Sequence, residues 1–365
     1  MIQGKANFVI DAHFGSSGKG KISTWLADTF KATDISASNG PNAGHTAEIG
    51  DVRFVAKVLP TPAILNHQRT IRCWISPESY FKTEQFEAEM LACRDPLVRI
   101  HERAGIVTAE HVSAERSTDQ GTGHIASTMQ GTGTAMCDKI MRRKNVVLAR
   151  DVFPLDFTSS PDCFARDLDK AIKIGMHLHE VSQGWALGVN YGLSYPYCTS
   201  RSISVSKALD DLSLPPSACG DVYLNLRTFP IRVGNLTVGD EVHSSGPFFP
   251  DTEETTWEKV GTDAGMPAEE IKRLFASELT TVTKRLRRVS IFPWESIADI
   301  ARVTGATKLC LNFAQYLDWN DYLVRDWNKL SNKTKQMVFR LEDACNLPVV
   351  FIGTGAEHND VVARF

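Results

Sequence analysis

Several features that would quickly assign a chain are missing from this one. No two cysteines stand as C-x-x-C; the eight are scattered between Cys73 and Cys345, which argues against both a disulfide scaffold and structural zinc. They are expected to be reduced and mostly structural. Neither sign of charge dominates, with 40 Lys and Arg against 43 Asp and Glu and a net charge of -3. No general attraction to nucleic acid or to an anionic membrane is expected, and any phosphate binding must be local. No stretch approaches the roughly 20 apolar residues that span a bilayer, and the N-terminus runs into an apolar strand pattern without the shape of a signal peptide. A soluble, cytoplasmic protein is the expectation. Internal repeats and low-complexity linkers are not evident. The spacing G-x-x-x-x-G-K-[ST] is absent too, which removes support for the standard ATPase reading.

What is present is an interleaving of two patterns over 365 residues. Phe8 to Ala12, Val146 to Ala149 and Leu347 to Ile352 are short apolar runs beside turn signals and read as buried strands. Ile22 to Phe30, Gln85 to Leu91, Cys163 to His177, Pro267 to Leu279 and the 320s to 340s carry helical patterns. The alternation predicts an α/β fold, a mainly parallel sheet covered by helices, and the length suits a large enzyme built around one sheet. Residues 239–267, rich in Gly, Pro, Ser, Thr and acids, read as a surface excursion, either a lid or an insertion.

The most informative segment is Gly15-Ser16-Ser17-Gly18-Lys19-Gly20-Lys21, placed between a strand and a helix. Its glycines permit a tight turn that points N–H groups at an anion, its lysines add charge, and the helix adds its positive end. A phosphate cradle and a plain turn into a helix both fit. In Asn42-Ala43-Gly44-His45 the histidine could donate a proton, stabilise a phosphate or only cap a loop. Ser127 to Thr134 leads into Asp138 to Arg143, where hydroxyls and glycine N–H groups precede a guanidinium fork suited to phosphate oxygens; a hydroxyl-rich turn before a basic helix end reads as well. Gly-Thr-Gly recurs at 121–123, 131–133 and 353–355. Gln183 both donates and accepts, so it could fix a water, a histidine or a purine edge, or be a buried amide satisfied by backbone. His177 and His179 have no acidic partner at a metal-ligand spacing. The run Lys284 to Arg288 could grip a small dicarboxylate or form a solvated face, and it lacks the interleaved aromatics of a nucleic-acid site. In Lys308 to Asp318, Asn312 or Gln315 could read a base edge beside Phe313 or Tyr316, or the aromatics could simply pack.

Taken in order, these segments resemble the adenylosuccinate synthetase family over nearly the whole chain, from Gly15 to Gly355. The resemblance implies one catalytic domain over 1–365 with a large mixed, mostly parallel central sheet, and a homodimer in which Arg142 is supplied across the interface. It implies the joining of L-aspartate to C6 of a purine nucleotide after phosphorylation of O6. Lys19, His45 and Gln183 would be catalytic, with Ser16 at the position of a further catalytic group. Gly15, Ser17, Gly18, Lys19, Gly20 and Lys21 would meet the donor phosphates, as would Gly44, His45 and Thr46. Lys308, Asn312, Gln315, Gly353 and Gly355 would complete the donor site. Ser16, Asn42, Ser127, Thr128, Arg142, Gln183, Thr199 and Arg287 would hold the purine monophosphate, and Val282, Thr283, Arg285 and Arg287 the aspartate. Mg2+ would be bound beside the loop by the Gly44 carbonyl, with Ser16 a second candidate.

Two departures from the family pattern refine this expectation. The usual loop reads Gly-Asp-Glu-Gly-Lys-Gly-Lys, whereas Ser16 and Ser17 stand where the acids belong. The missing aspartate is the base for purine N1, and a serine hydroxyl is far too weakly acidic to replace it unaided. Such a loop resembles the viral branch of the family, which acts on dGMP to make 2-amino-2'-deoxy-N6-succinyladenylate; a host-cell cytoplasmic setting would follow. The second departure is at Cys310, aligned with an aspartate that reads guanine in GTP-using members, so ATP or dATP is the expected donor. An ordinary enzyme acting on IMP and a non-catalytic nucleotide sensor are the competing readings.

Overall fold

A computed structural model describes residues 1–117, 125–280 and 284–364. Ten strands form its main sheet: β1 (Ala6–Asp11), β2 (Asp34–Ala37), β3 (Arg72–Ile75), β4 (Leu97–His101), β5 (Thr158–Ser159), β6 (His177–Gly184), β7 (Cys219–Arg227), β8 (Lys308–Asn312), β9 (Val349–Gly353) and β10 (Val361–Ala363). Their spatial order is β10-β9-β8-β7-β1-β6-β2-β3-β4-β5. Every neighbouring pair is parallel except β9 with β10. This is the large, mostly parallel sheet the interleaved patterns predict.

The sheet is buried on both faces because helices cover both, as parallel crossovers require. Successive residues of β1 therefore enter different cores. Phe8 and Ile10 pack with Leu224, Leu226, Leu309 and Leu311 on one face. Val9 faces the other, with Leu178, Tyr223, Cys310 and Phe351. Helix α1 (Lys19–Thr29) follows the glycine loop and packs beside a hairpin of His45–Ile49 with Val52–Ala56. A Cβ on Gly20 would lie 2.6 Å from the Thr46 carbonyl oxygen, so glycine is what lets helix and hairpin close on each other.

Two expectations are corrected. Val146 to Ala149 is not a strand: Leu148 makes one isolated bridge to Gly105, and Ala149–Val152 begins a short helix. The stretch 239–267 does not stay on the surface, since Phe249 and Trp257 are 3% and 2% exposed. Phe249 packs on Phe14 of the glycine loop at 4.8 Å, and Trp257 lies beside the Arg227 guanidinium. Its polar composition concealed two aromatic anchors.

Because the strands are parallel, the carboxyl ends of β1, β6, β7, β8 and β9 fall on one edge of the sheet. Ligand crevices in such sheets open there. The glycine loop, Gln183, Arg227, Asn312 and Gly353 all sit at these ends.

Candidate active site

The turn from β1 into α1 needs left-handed backbone at Gly15, Ser16 and Gly18, with φ of 85°, 52° and 85°. Gly18 is required twice over, since a Cβ there would also stand 2.6 Å from the Asn312 amide nitrogen. Ser16 is the non-glycine residue held in this strained region. Its carbonyl accepts from Arg227 Nη1 at 3.0 Å. The Ser17 carbonyl accepts from Asn225 and Asn312 at 3.1 and 2.9 Å. The loop is thus anchored from the ends of β7 and β8.

Beneath it lies a fully buried carboxylate, Asp11, which the sequence reading passed over as part of a strand. Asp11 accepts from the Ser17 hydroxyl, from the His13 backbone N–H at 2.8 Å and from Lys19 Nζ at 3.1 Å. Burial alone would raise its pKa, but Lys19, His13 and Ser17 together hold it below the usual carboxylate range. Lys19 also donates to the Gln183 carbonyl at 2.8 Å. Breaking a buried ion pair of this kind costs about 3–5 kcal/mol.

A cavity of about 780 Å³ runs from the glycine loop past Thr46, Gln315, Trp319 and Tyr322 to Gly355. A smaller one of about 170 Å³ opens on the other side of the loop, toward Asn42, Thr128, Gln183 and Arg232. Ser16, Lys19, Gly44, His45 and Arg287 line both. Two ligands placed in these clefts would meet at those five residues, the arrangement a transfer between substrates requires.

His45 is oriented at this junction by Glu180 on β6, with Nδ1 2.5 Å from Oε1. Glu180 is fully buried and also accepts from the Thr61 N–H and hydroxyl at 2.9 and 3.0 Å. Burial opposes its ionisation, yet His45 and Thr61 keep its pKa below the ordinary value. An ionised Glu180 orients the ring through Nδ1 and leaves Nε2 for a ligand.

Arg287 is positioned by another buried carboxylate. Glu278 accepts from Arg287 Nη1 at 3.4 Å, from Arg227 and from the Tyr316 hydroxyl at 2.9 Å. Arg227 stacks over Phe313 at 4.0 Å. One acid therefore ties the basic run to the glycine loop and to the Phe313–Tyr316 wall of the larger cleft.

A model of the adenylosuccinate synthetase family matches residues 8–172 and 163–323. The chain belongs to this family. It is 30% identical to an adenylosuccinate synthetase of Archaeoglobus fulgidus over 98% of this chain and 97% of that protein. It is 31% identical to the N6-succino-2-amino-2'-deoxyadenylate synthase of Vibrio phage phiVC8 over 98% of each. The structure matches that of the cyanophage S-2L succinoaminodeoxyadenylate synthetase (PurZ), solved with dGMP and dATP as an energy donor, with a TM-score of 0.79 and 26% identity over 98% of this chain and 95% of that one. The family assignment makes this protein a purine nucleotide-binding ligase, and the phage relatives place dGMP chemistry within its near kin.

Most of the residues expected to form the synthetase site converge on it. Gly15, Asn42 and Thr128 line the smaller cleft; Ser17, Gly18, Gly20, Lys21, Thr46, Asn312, Gln315 and Gly355 line the larger. Thr199 and Gln183 share a small adjoining cavity. Lys21 is buried and donates to the Gly355 and Asp360 carbonyls, both at 2.7 Å. Gly353 lies beside Asn312 and Lys21, where a Cβ would be 2.1 Å from Asn312 Oδ1.

Other expectations change. Lys308 stands at the start of β8, on the opposite edge of the sheet, paired with Asp221 at 2.5 Å; it does not reach the donor cleft. Cys310 is fully enclosed in the core, on the face it shares with Val9, Tyr223 and Phe351, and it cannot read a base. Gln315, just beyond β8, is a further amide lining the cleft, and its buried Oε1 has no partner among the described residues. Asn312 spends its amide N–H groups on Ser17, Gly18 and Asn225, so it supports the loop. The Ser127 hydroxyl accepts from the Met129 N–H, and Ser127 lines neither cleft. Arg285 donates to the Ala126 carbonyl at 2.9 Å, against that same segment. Arg142 is exposed and lines neither cleft of its own chain. Val282, Thr283 and the glycine turn at 121–123 lie outside the described residues.

For Mg2+, the chain offers the Gly44 carbonyl and the Ser16 hydroxyl at the junction, two neutral oxygens. Asp11, the nearby acid, is already taken by three donors. Among the described residues no group of three His, Cys, Asp or Glu side chains could hold a metal. That donor set fits an ion carried mainly by phosphate oxygens and water, as magnesium often is. Likewise, no helix among the described residues is long and apolar enough to cross a membrane.

Proposed function

We propose that this chain, acting over 1–365 as one catalytic unit, joins L-aspartate to C6 of dGMP using ATP or dATP. The products are 2-amino-2'-deoxy-N6-succinyladenylate, ADP or dADP, and phosphate, for diaminopurine DNA synthesis. The observation that carries this reading is Ser16, a short neutral side chain at the junction of the two clefts, where the usual family loop has aspartate. The smaller side chain leaves room for the guanine 2-amino group. The phage relatives and the cyanophage structure with dGMP and dATP support it.

In the first step the purine gives up its N1 proton to water or to a substrate phosphate oxygen, O6 attacks the terminal phosphorus, and the nucleoside diphosphate leaves. Negative charge grows on O6 and on the transferred group, and fixed donors stabilise it best in a site shielded from water. Lys19 Nζ is a donor at the junction, and His45 Nε2 is one when the imidazole carries a proton on both nitrogens; His45 is oriented by Glu180 and Lys19 by Asp11 and the Gln183 carbonyl. Bound magnesium would neutralise phosphate charge. In the second step the aspartate amine attacks C6 and phosphate departs. Arg287, Arg285, Thr283 and Val282 hold the aspartate, the first of them braced by Glu278. Gln183 orients the purine, Gln315 reads the donor base, and a second copy of the chain supplies Arg142 to the monophosphate. A cytoplasmic location goes with this reading.

The competing substrate is IMP, favoured by archaeal relatives of equal identity named adenylosuccinate synthetase. Mass analysis of products formed from aspartate and ATP, with dGMP and IMP in parallel, separates them. A succinylated product from dGMP and not from IMP supports the proposal; the reverse assigns the IMP reaction. A nucleotide sensor would release no phosphate when purine monophosphate and aspartate are both present.

A further inference from the structure

The glycine loop has lost two acids relative to its family, yet the structure contains a carboxylate under it. Asp11 lies at the end of β1, six residues before Ser17, and its Oδ2 receives both the Ser17 hydroxyl and Lys19 Nζ. Asp11 and Lys19 are 0% and 3% exposed, so the lysine draws its counter-charge from this acid rather than from solvent. An ammonium has three donors. One goes to Asp11 and one to the Gln183 carbonyl, which leaves the third to be aimed from the floor of both clefts. The Ser17 hydroxyl also accepts from Asn225 Nδ2 at 2.8 Å, so serine bridges the acid to β7.

We infer that Asp11 is a positioning residue that supplies, from the strand end, the counter-charge of Lys19 beneath a loop without acids of its own. Ser17 is the residue whose hydroxyl lets that acid lie directly under the loop. A glutamate at 17 would confront Asp11 with a second carboxylate in a buried space, and like charges there oppose one another. Serine instead donates to the acid and leaves Lys19 singly countered. The inference rests on the ligase reading for its catalytic readout and on donor-nucleotide binding for a readout independent of it.

The test is an exchange of the acid between the two positions, using Asp11→Asn, Asp11→Ala, Ser17→Glu and the double variant Asp11→Ala/Ser17→Glu. Succinylated product is followed with whichever purine monophosphate the wild type accepts, and ATP affinity is followed by calorimetry. Asp11→Asn, which keeps the shape and removes the charge, should lower kcat about 100-fold by misplacing Lys19 and weaken ATP about tenfold. Ser17→Glu alone should be impaired as well. The double variant should recover at least tenfold over Asp11→Ala in ATP affinity and, where the wild type is active, in turnover. A purely structural prop would show no such reciprocal rescue. Near-wild-type kcat and ATP affinity in Asp11→Asn would overturn the inference, as would a double variant no better than Asp11→Ala, whether folded or not. A wild type that binds ATP but makes no succinylated product overturns the ligase reading alone, because the exchange is still scored by ATP affinity.

Discussion

His45 Nδ1 lies 2.5 Å from Oε1 of Glu180, a carboxylate with no solvent exposure. The acid orients the ring through Nδ1 and turns the Nε2 edge toward the clefts. Glu180→Gln keeps the size of this partner but removes its charge and can present the wrong group to Nδ1. We expect kcat to fall about 100-fold, the low end of what a positioned proton donor contributes, with KM changed less than threefold. Steady-state kinetics on the purine monophosphate tests this; equal losses in kcat and kcat/KM are the expected signature.

Ser16 separates the two candidate substrates. Ser16→Asp restores a carboxylate beside the purine and removes space for a 2-amino group, so activity on dGMP should fall and activity on IMP should rise. Parallel product assays before and after the change measure the switch. Unchanged relative activity on the two nucleotides would detach this position from substrate choice.

Gln315 lines the larger cleft, and its Oε1 is buried with no partner among the described residues. An amide can both accept from the adenine 6-amino group and donate to N1, whereas guanine presents N–H groups suited to a carboxylate. Gln315→Asp should therefore shift donor preference from ATP toward GTP. One charge-assisted hydrogen bond, about 1.5–3 kcal/mol, corresponds to a change of roughly 10- to 150-fold in relative kcat/KM. Cys310→Asp, in the core, should destabilise the fold without producing that shift.

Burial pushes the Lys21 ammonium down to about 7, against the opposing pull of Asp360. Lys21 is therefore charged below pH 7 and increasingly neutral above it. An anionic triphosphate favours the charged form, so ATP affinity should weaken as pH rises from 6 through about 8. Calorimetric titration across that range reads the slope. Lys21→Arg, which stays charged, should flatten it.

Strand existence was legible where apolar runs were short and flanked by turns, as at Phe8 to Ala12 and Leu347 to Ile352. Strands carrying polar residues, such as His177–Gly184 with two buried histidines around Ser36, were not. Their polar groups are satisfied by neighbours distant in sequence, which no local pattern reveals. The same reason hid Glu180, Glu278 and Arg227: each is an ordinary charged residue until the fold supplies its partner. Cys310 was expected to lack a base-reading acceptor; what the sequence did not show is that both faces of β8 are covered, so that Gln315, beyond the strand, lines the cleft.

The sequence alone determined the α/β class, the glycine loop with its helix, the family and the loss of two loop acids, because these depend on residue type at short spacing. Only the tertiary structure decided which residues meet. Parallel strands bring their carboxyl ends to one edge, which joins Asp11 to Lys19, Glu180 to His45 and Arg227 to Glu278 across as many as 135 residues of chain. It also separates Lys308 from the site by the length of a strand. Burial then sets the chemistry, since a carboxylate far from water must find a cation or a donor, and those pairings fix where the reacting groups point.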